Sequence, residues 1–209
     1  LSTLTFAGFL AFNVQAEKKD PTLTRTSTGG SNPGSTAQAP EGSPTRAIQD
    51  LEAKTENYKT SGNLSEADKA NNARLKRELL SGAFDLRELC RLSLDKHWNT
   101  LSPQSQNEFV SLMNQFLEKK AVFSKEQSKT KGNNYTVKYV GESFLDAQKS
   151  KAIAKTSIYI PKQDANVSID YKLLKTTNGW RIFDVIVDDT SMVENYRDNF
   201  NSIISKYGY

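Results

Sequence analysis

Residues 167–200 read V-S-I-D-Y-K-L-L-K-T-T-N-G-W-R-I-F-D-V-I-V-D-D-T-S-M-V-E-N-Y-R-D-N-F. Val167, Ile169, Tyr171 and Leu173 alternate with Ser168, Asp170 and Lys172. A period of two marks a strand buried on one face. Asn178-Gly179 follows, a dipeptide that accepts positive φ and predicts a tight hairpin turn. Trp180 to Val187 is the expected returning strand. Ser191 with Glu194 three residues on reads as a capping box, so a closing helix starts there. This unit of strand, turn, strand and helix carries no obvious catalytic grouping. Its apolar sheet face has to be covered by something else in the chain.

The upstream half supplies helices. Ile48, Leu51 and Tyr58 give a weak helical pattern between Thr45 and Thr60. Ser65 with Asp68 marks a second start, ahead of a charged helix carrying Leu75, Leu79 and Leu80. At the third, Asp85 caps, Glu88 answers it, and Phe84 faces Leu89 as a hydrophobic staple. That helix presents Leu86, Leu89, Cys90, Leu94 and His97 on one side. Ser102-Pro103 opens a fourth helix in cap and first-turn positions. Its stripe is Phe109, Leu112, Met113, Phe116 and Phe123. Gly132-Asn133-Asn134 ends the helical half. Two more strands follow, one alternating Tyr135, Val137 and Tyr139, the other carrying Ala154, Ile158 and Ile160 with Ile153 and Tyr159 opposite. The last helix has the stripe Met192, Tyr196, Phe200, Ile203, Ile204 and Tyr207. Short connections make the sheet antiparallel. The expected fold class is α+β, a four-stranded antiparallel curved sheet covered by N-terminal helices and a C-terminal helix.

Composition divides the 209 residues into three stretches. Residues 1–16 are uncharged, too short to span a bilayer as a helix, and end in Val14-Gln15-Ala16. They read as the remnant of a signal peptide, which implies export. Residues 17–45 are rich in Thr, Ser, Gly and Pro and read as a disordered linker. Residues 46–209 form one domain of ordinary size. The net charge is +4, from 28 basic and 24 acidic residues that are spread rather than clustered. Nucleic-acid binding, which needs a basic patch, is not expected. The single cysteine, Cys90, excludes an internal disulfide and a Cys/His zinc site, and reads as a small buried hydrophobe.

Four pieces of this chain carry a family resemblance. They are F-D-L-R-E-L-C-R-L-S-L-D-K-H-W-N-T-L-S-P-Q-S-Q-N-E-F at 84–109, D-Y-K-L at 170–173, N-G-W-R-I-F-D-V-I-V-D at 178–188, and T-S-M-V-E-N-Y-R-D-N-F at 190–200. In this order they resemble the MlaC family, also called the toluene-tolerance family, of periplasmic phospholipid-binding proteins. The similarity runs over roughly residues 46–207. It implies an apolar lipid pocket between the sheet and the helical layer, and a phospholipid as cargo rather than a cofactor. The implied role is lipid transport between inner and outer membranes, which maintains outer-membrane lipid asymmetry. The implied partners are an inner-membrane ABC-transporter complex with a substrate-binding ring and an outer-membrane lipoprotein complex. The long Ser/Thr/Gly/Pro linker and K-G-N-N at 131–134 depart from the family pattern.

Candidate chemistry is sparse. His97 is the only histidine, and Asp95 two positions away faces elsewhere on a helix. It reads as a histidine closing one end of the core. Asp170 and Asp184 lie on neighbouring hairpin strands and are a conceivable acid-base pair. A buried carboxylate is met more simply by a cation or a capping amide. Asp188-Asp189 with Glu194 lacks the ligand ladder of a calcium loop. No G-x-S-x-G, phosphate loop or paired histidine motif is present. No catalytic residue and no metal ligand is assigned. The apolar inventory remains. If the layers stand apart, the expected pocket lining is Phe84, Leu89, Trp98, Phe109, Leu112, Phe116, Val137, Tyr139, Ile158, Ile160, Ile169, Tyr171, Ile182, Val185 and Val187. Two other functions fit the same residues: a small α+β enzyme acting on an apolar substrate, and an interaction module with a filled core.

Overall fold

In the computed structural model the described residues are 37–55, 57–59, 63–120, 136–160 and 164–208. The helical half contains α1 (Pro44–Thr55), α2 (Glu66–Ala83), α3 (Leu86–Leu94), a 3-10 helix over Asp95–Thr100, and α4 (Pro103–Lys120). The sheet half contains β1 (Thr136–Phe144), β2 (Lys151–Ile160), β3 (Ala165–Thr176), β4 (Gly179–Val187) and β5 (Thr190–Ser191), and α5 (Met192–Tyr207) ends it. The strands form one antiparallel meander in the order β1-β2-β3-β4-β5. The α+β class holds, with a fifth, two-residue strand added to the four expected.

Helix starts follow their caps. Ser65 Oγ accepts from the Asp68 amide, the Asp85 carboxylate from the Glu88 amide, Ser102 Oγ from the Ser105 amide and Ser191 Oγ from the Glu194 amide. Each bond satisfies an amide that a helix N-terminus otherwise leaves orphaned. α3 is shorter than expected. Asp95 turns to φ 46 and the chain tightens into the 3-10 helix, so His97 leaves the α3 face.

The turns differ from expectation for a conformational reason. Thr176 pairs with Gly179, so the β3–β4 loop is Thr177-Asn178. Only Gly179, at φ 94, takes positive φ there. The two-residue turn with positive φ at both positions is Asp188-Asp189, at 45° and 65°, between β4 and β5. That backbone matches the strand twist, and Asp is one of the residues that tolerates it. This turn creates the fifth strand.

Register decides which side chains meet the helices. Val167, Ile169, Tyr171 and Leu173 on β3 are buried. Ile158 and Ala154 on β2 stand opposite Val167 and Tyr171, and Ala152 opposite Leu173. On β4, Val185 pairs with Tyr171 and Ile182 with Leu173. An irregularity at Phe183 lets Ile182 and Val185, three positions apart, share this face. A second one at Val140 keeps Tyr139 and Glu142 together on the same face of β1. Thr156 is buried on it too, and its hydroxyl is satisfied by the Ile169 carbonyl at 2.7 Å.

The outer edge of β4 is covered. Phe84 bridges Ile182 and the Asp85 amide donates to the Ile182 carbonyl at 2.8 Å, while β5 pairs with Ile186 and Val187. Asp184, buried on the opposite face, accepts from Ser191 Oγ at 2.8 Å, from the Val193 amide at 3.1 Å and from Lys172 Nζ at 3.2 Å. One carboxylate thus joins β3, β4, β5 and the first turn of α5. Removing it strands the Ser191 hydroxyl and the Val193 amide in a buried site and leaves the half-buried Lys172 ammonium without its carboxylate. Asp184→Ala is expected to cost about 3 kcal/mol of unfolding free energy, read as a lower urea midpoint. Asp184→Asn, which keeps one acceptor oxygen, is expected to cost less.

Candidate functional site

A cleft of about 850 Å³ opens between α1, the C-terminal half of α2 and the β3–β4 hairpin. This lies within the range of about 300–1,000 Å³ typical of ligand sites. Its floor is the sheet end carrying Leu173, Ile182 and Trp180, and its walls are Ala47, Ile48 and Leu51 from α1 and Leu75, Leu79, Gly82 and Ala83 from α2. Three of the lining residues are small, Ala47, Gly82 and Ala83. A side chain built onto Gly82 would meet no atom within 4 Å. The room exists because Ala47, Gly82 and Ala83 stop short of filling it.

α1 and the residues leading into it are tied to the sheet by polar contacts at both flanks. Glu142 on β1 accepts from the Thr45 amide at 2.8 Å, and Tyr139 Oη donates to Glu52. From β4, Trp180 Nε1 donates to the Gly42 carbonyl at 3.0 Å. Residues 37–43 lie in the stretch read as linker, and they bond to α1. The Ala39 amide donates to Gln49 Oε1 at 2.8 Å, and Gln49 Nε2 to the Ala37 carbonyl at 3.1 Å.

Charged side chains ring the mouth. Arg46 holds Asp50 at 2.7 Å, and Glu78 is held by Arg74 at 2.7 Å. Lys54 and Lys175 also line the cleft. The Lys175 ammonium lies 5.8 Å from the Trp180 ring centroid.

Of the side chains expected to line a pocket, Ile182 borders this cleft. Phe84, Leu89, Trp98, Ile158, Ile169, Tyr171 and Val185 are buried in the core cluster, and Phe109, Val137, Tyr139 and Val187 are half-buried against it. Leu112 and Phe116 are 57% and 42% exposed, because α4 buries Met113 and Leu117 instead. Phe116 meets the Tyr196 ring on α5, and Phe109 meets Phe200 edge-on at 5.4 Å. Ile160 pairs with Ala165 in the sheet, and its side chain lies outside the described residues, as do Tyr135 and Phe123. On α5, Met192 is buried and Tyr196, Phe200 and Ile204 are half-buried, but Ile203 and Tyr207 project outward, beyond the reach of α3 and α4.

The cleft residues missed from sequence come mostly from α1 and α2, whose apolar pattern is weak, with Leu173 and Trp180 missed on the hairpin. The strongest stripes mark side chains that fill space. The signal for the gap was the small residues in Gly82-Ala83 and the tryptophan one residue past the hairpin turn.

The titratable candidates are occupied. His97 Nε2 lies 3.1 Å from Asn201 Oδ1, tying the 3-10 helix to α5 through a side chain. Asp170 and Asp184 stand on the face away from the cleft, held by Lys155 at 3.8 Å and Lys172 at 3.2 Å. Asp188 accepts from the Ser168 amide at 2.9 Å, and no metal-ligand cluster occurs among the described residues. Cys90 is buried, and desolvation pushes its thiol up to about 12. Burial likewise pushes the Tyr196 phenol up to about 12. Among the described residues no helix is long and apolar enough to cross a membrane.

The sequence profile of the MlaC protein family matches residues 51–209. The chain belongs to the MlaC family. The match begins inside α1, so the cleft residues from Gly42 to Asp50 precede it. Among solved structures, the chain is similar to a phospholipid-binding protein from Ralstonia solanacearum, determined in complex with a phospholipid. The two share 18% identity over 78% of this chain and 85% of the other, with a TM-score of 0.55. At that identity the likeness is one of fold alone. No curated protein matches the chain.

Asp170 offers a test of the sheet's other face. Burial raises its carboxyl above the ordinary value, against the opposing pull of Lys155. A raised carboxyl favours the neutral form in the folded chain, so its contribution to stability falls as pH rises through the folded value. Asp170→Asn is expected to raise the melting temperature at neutral pH. The gain should vanish below the ordinary carboxylate range, in a melting series across pH.

Proposed function

We propose that this chain is a phospholipid carrier of the MlaC type. It works in the periplasm and exchanges lipid between an inner-membrane ABC-transporter complex with a substrate-binding ring and an outer-membrane lipoprotein complex. The observation that carries this reading is the open cleft with an apolar floor and a charged rim, in a chain of the MlaC family. The phospholipid held by the protein of similar fold supports it.

Acyl chains enter between α1, α2 and the sheet, and the headgroup stays at the rim in water. Each methylene taken out of water contributes about 0.8 kcal/mol. Two chains bind tightly on that basis with no directed polar contact and no covalent step. The lipid is cargo. The floor residues Leu173 and Ile182 belong to the same cluster as Phe84, Ile169, Tyr171 and Val185. A slight lift of α1 and α2 from the sheet extends the cleft toward these side chains, and they then line the deeper part of the lipid site.

Native mass spectrometry of the full chain, after incubation with phospholipid vesicles, tests this. One bound phospholipid per chain is the expected result. A chain that stays lipid-free returns the assignment to a filled-core interaction module. Gly82→Leu separates cleft from stability. It replaces a helical glycine, which should stabilise α2 by roughly 0.5–1 kcal/mol, and it fills the space between the layers. Lower lipid loading together with an unchanged or higher melting temperature is expected.

A further inference from the structure

The charges around the cleft do not cancel locally. Five charged side chains line it: Arg46, Asp50, Lys54, Glu78 and Lys175. Both carboxylates already hold an arginine, Asp50 with Arg46 and Glu78 with Arg74. Lys54 and Lys175 have no carboxylate partner among the described residues. Lys54 stands in the last turn of α1, on the wall, and Lys175 stands on β3 over the Trp180 ring, beside the floor. Two unmatched ammonium groups therefore approach the mouth from different elements, one from the helical layer and one from the sheet.

We propose that Lys54 and Lys175 make this cleft selective for phospholipids whose headgroup carries net negative charge. The inference rests on the carrier reading above and adds a substrate class to it. Every diacyl phospholipid presents the same chains to Leu51, Leu79, Leu173 and Ile182, so the apolar lining cannot tell headgroups apart. The rim can. A phosphatidylglycerol headgroup brings one phosphate charge and nothing to oppose it. A phosphatidylethanolamine headgroup brings the same phosphate with an ammonium attached, which the two lysines repel. Lys175 is steadied by Trp180, whose indole N–H is fixed on Gly42, so its charge stays at the rim. The lysine stems are long and both residues are exposed, so each charge acts through water and is worth roughly fivefold in the choice between headgroups.

The full chain is incubated at low ionic strength with vesicles holding equal amounts of phosphatidylglycerol and phosphatidylethanolamine of identical acyl chains. Native mass spectrometry then reads both the total loading and the headgroup ratio. The wild-type chain is expected to load phosphatidylglycerol in at least fivefold excess, a preference that shrinks as salt is added (about fivefold being one lysine's share). The K54Q/K175Q chain is expected to load the two lipids at a ratio near that of the vesicles. K54E/K175E is expected to favour phosphatidylethanolamine. Both lysines are exposed, so the fold survives these changes. A wild-type ratio equal to that of the vesicles, or a ratio unmoved in K54Q/K175Q, overturns the proposal. Inorganic phosphate equimolar with the lipid should leave the ratio unchanged. A collapse of the ratio there would reassign the lysines to free phosphate and overturn it as well. Absence of any bound lipid on the wild-type chain would instead remove the carrier reading, and the headgroup preference with it.

Discussion

A buried carboxylate must be met by donors, and Asp184 dictates how the C-terminal half is assembled. Its three partners come from Lys172 on β3, Ser191 at the end of β5 and Val193 in the first turn of α5. The irregularity at Phe183 makes this possible without cost to the core. It turns Asp184 away while Ile182 and Val185 stay on the buried face. The same register places Ile182 beside Leu173, at the floor of the cleft, and brings Phe84 alongside as a bridge. The helical half is thereby docked to the strand that also anchors the last helix. Site and scaffold meet at one short segment, residues 182–185.

The cleft lies where side-chain volume runs out. Leu80, Leu89 and Leu117 are fully enclosed, and the cluster they belong to reaches to the sheet through Ile158, Ile169 and Tyr171. At the cleft the helices present Ala47, Gly82 and Ala83 beside Leu51, Leu75 and Leu79. Native interiors are close-packed, so a persistent gap beside such a core is a property of residue size at a few positions. The polar rim follows from the same geography. α1 and the hairpin end in water, and their charged residues stand where the two layers part.

Helix starts were legible in the sequence because capping is local. Ser65, Asp85, Ser102 and Ser191 each bond the amide three residues on. The alternation in β3 was legible for the same reason, since Val167 to Leu173 needs only a one-sided sheet. The turns were less so. Asn178-Gly179 and Asp188-Asp189 both permit positive φ, and strand pairing decides which becomes the tight turn. The cleft was the least legible. Periodicity finds side chains that pack, and the lining is set by a glycine and two alanines whose neighbours lie far away in sequence. Leu112 and Phe116 have the spacing of a core stripe and fall outside it, because Met113 and Leu117 turn α4 inward by about one residue.

α1 is tied to the first strand of the sheet through Tyr139 and Glu142, and its lead-in at Gly42 is tied to the fourth through Trp180, with β2 and β3 spanned between. Mechanically the helix is the string of a bow whose limbs are β1 and β4. A sheet that flattens draws the string taut against β2 and β3, and one that curls slackens it. The volume beneath α1 is thus tied to the twist of the whole sheet. A push on the exposed edge of β1 reaches the cleft through the side chains of Tyr139 and Glu142, which carry it to α1.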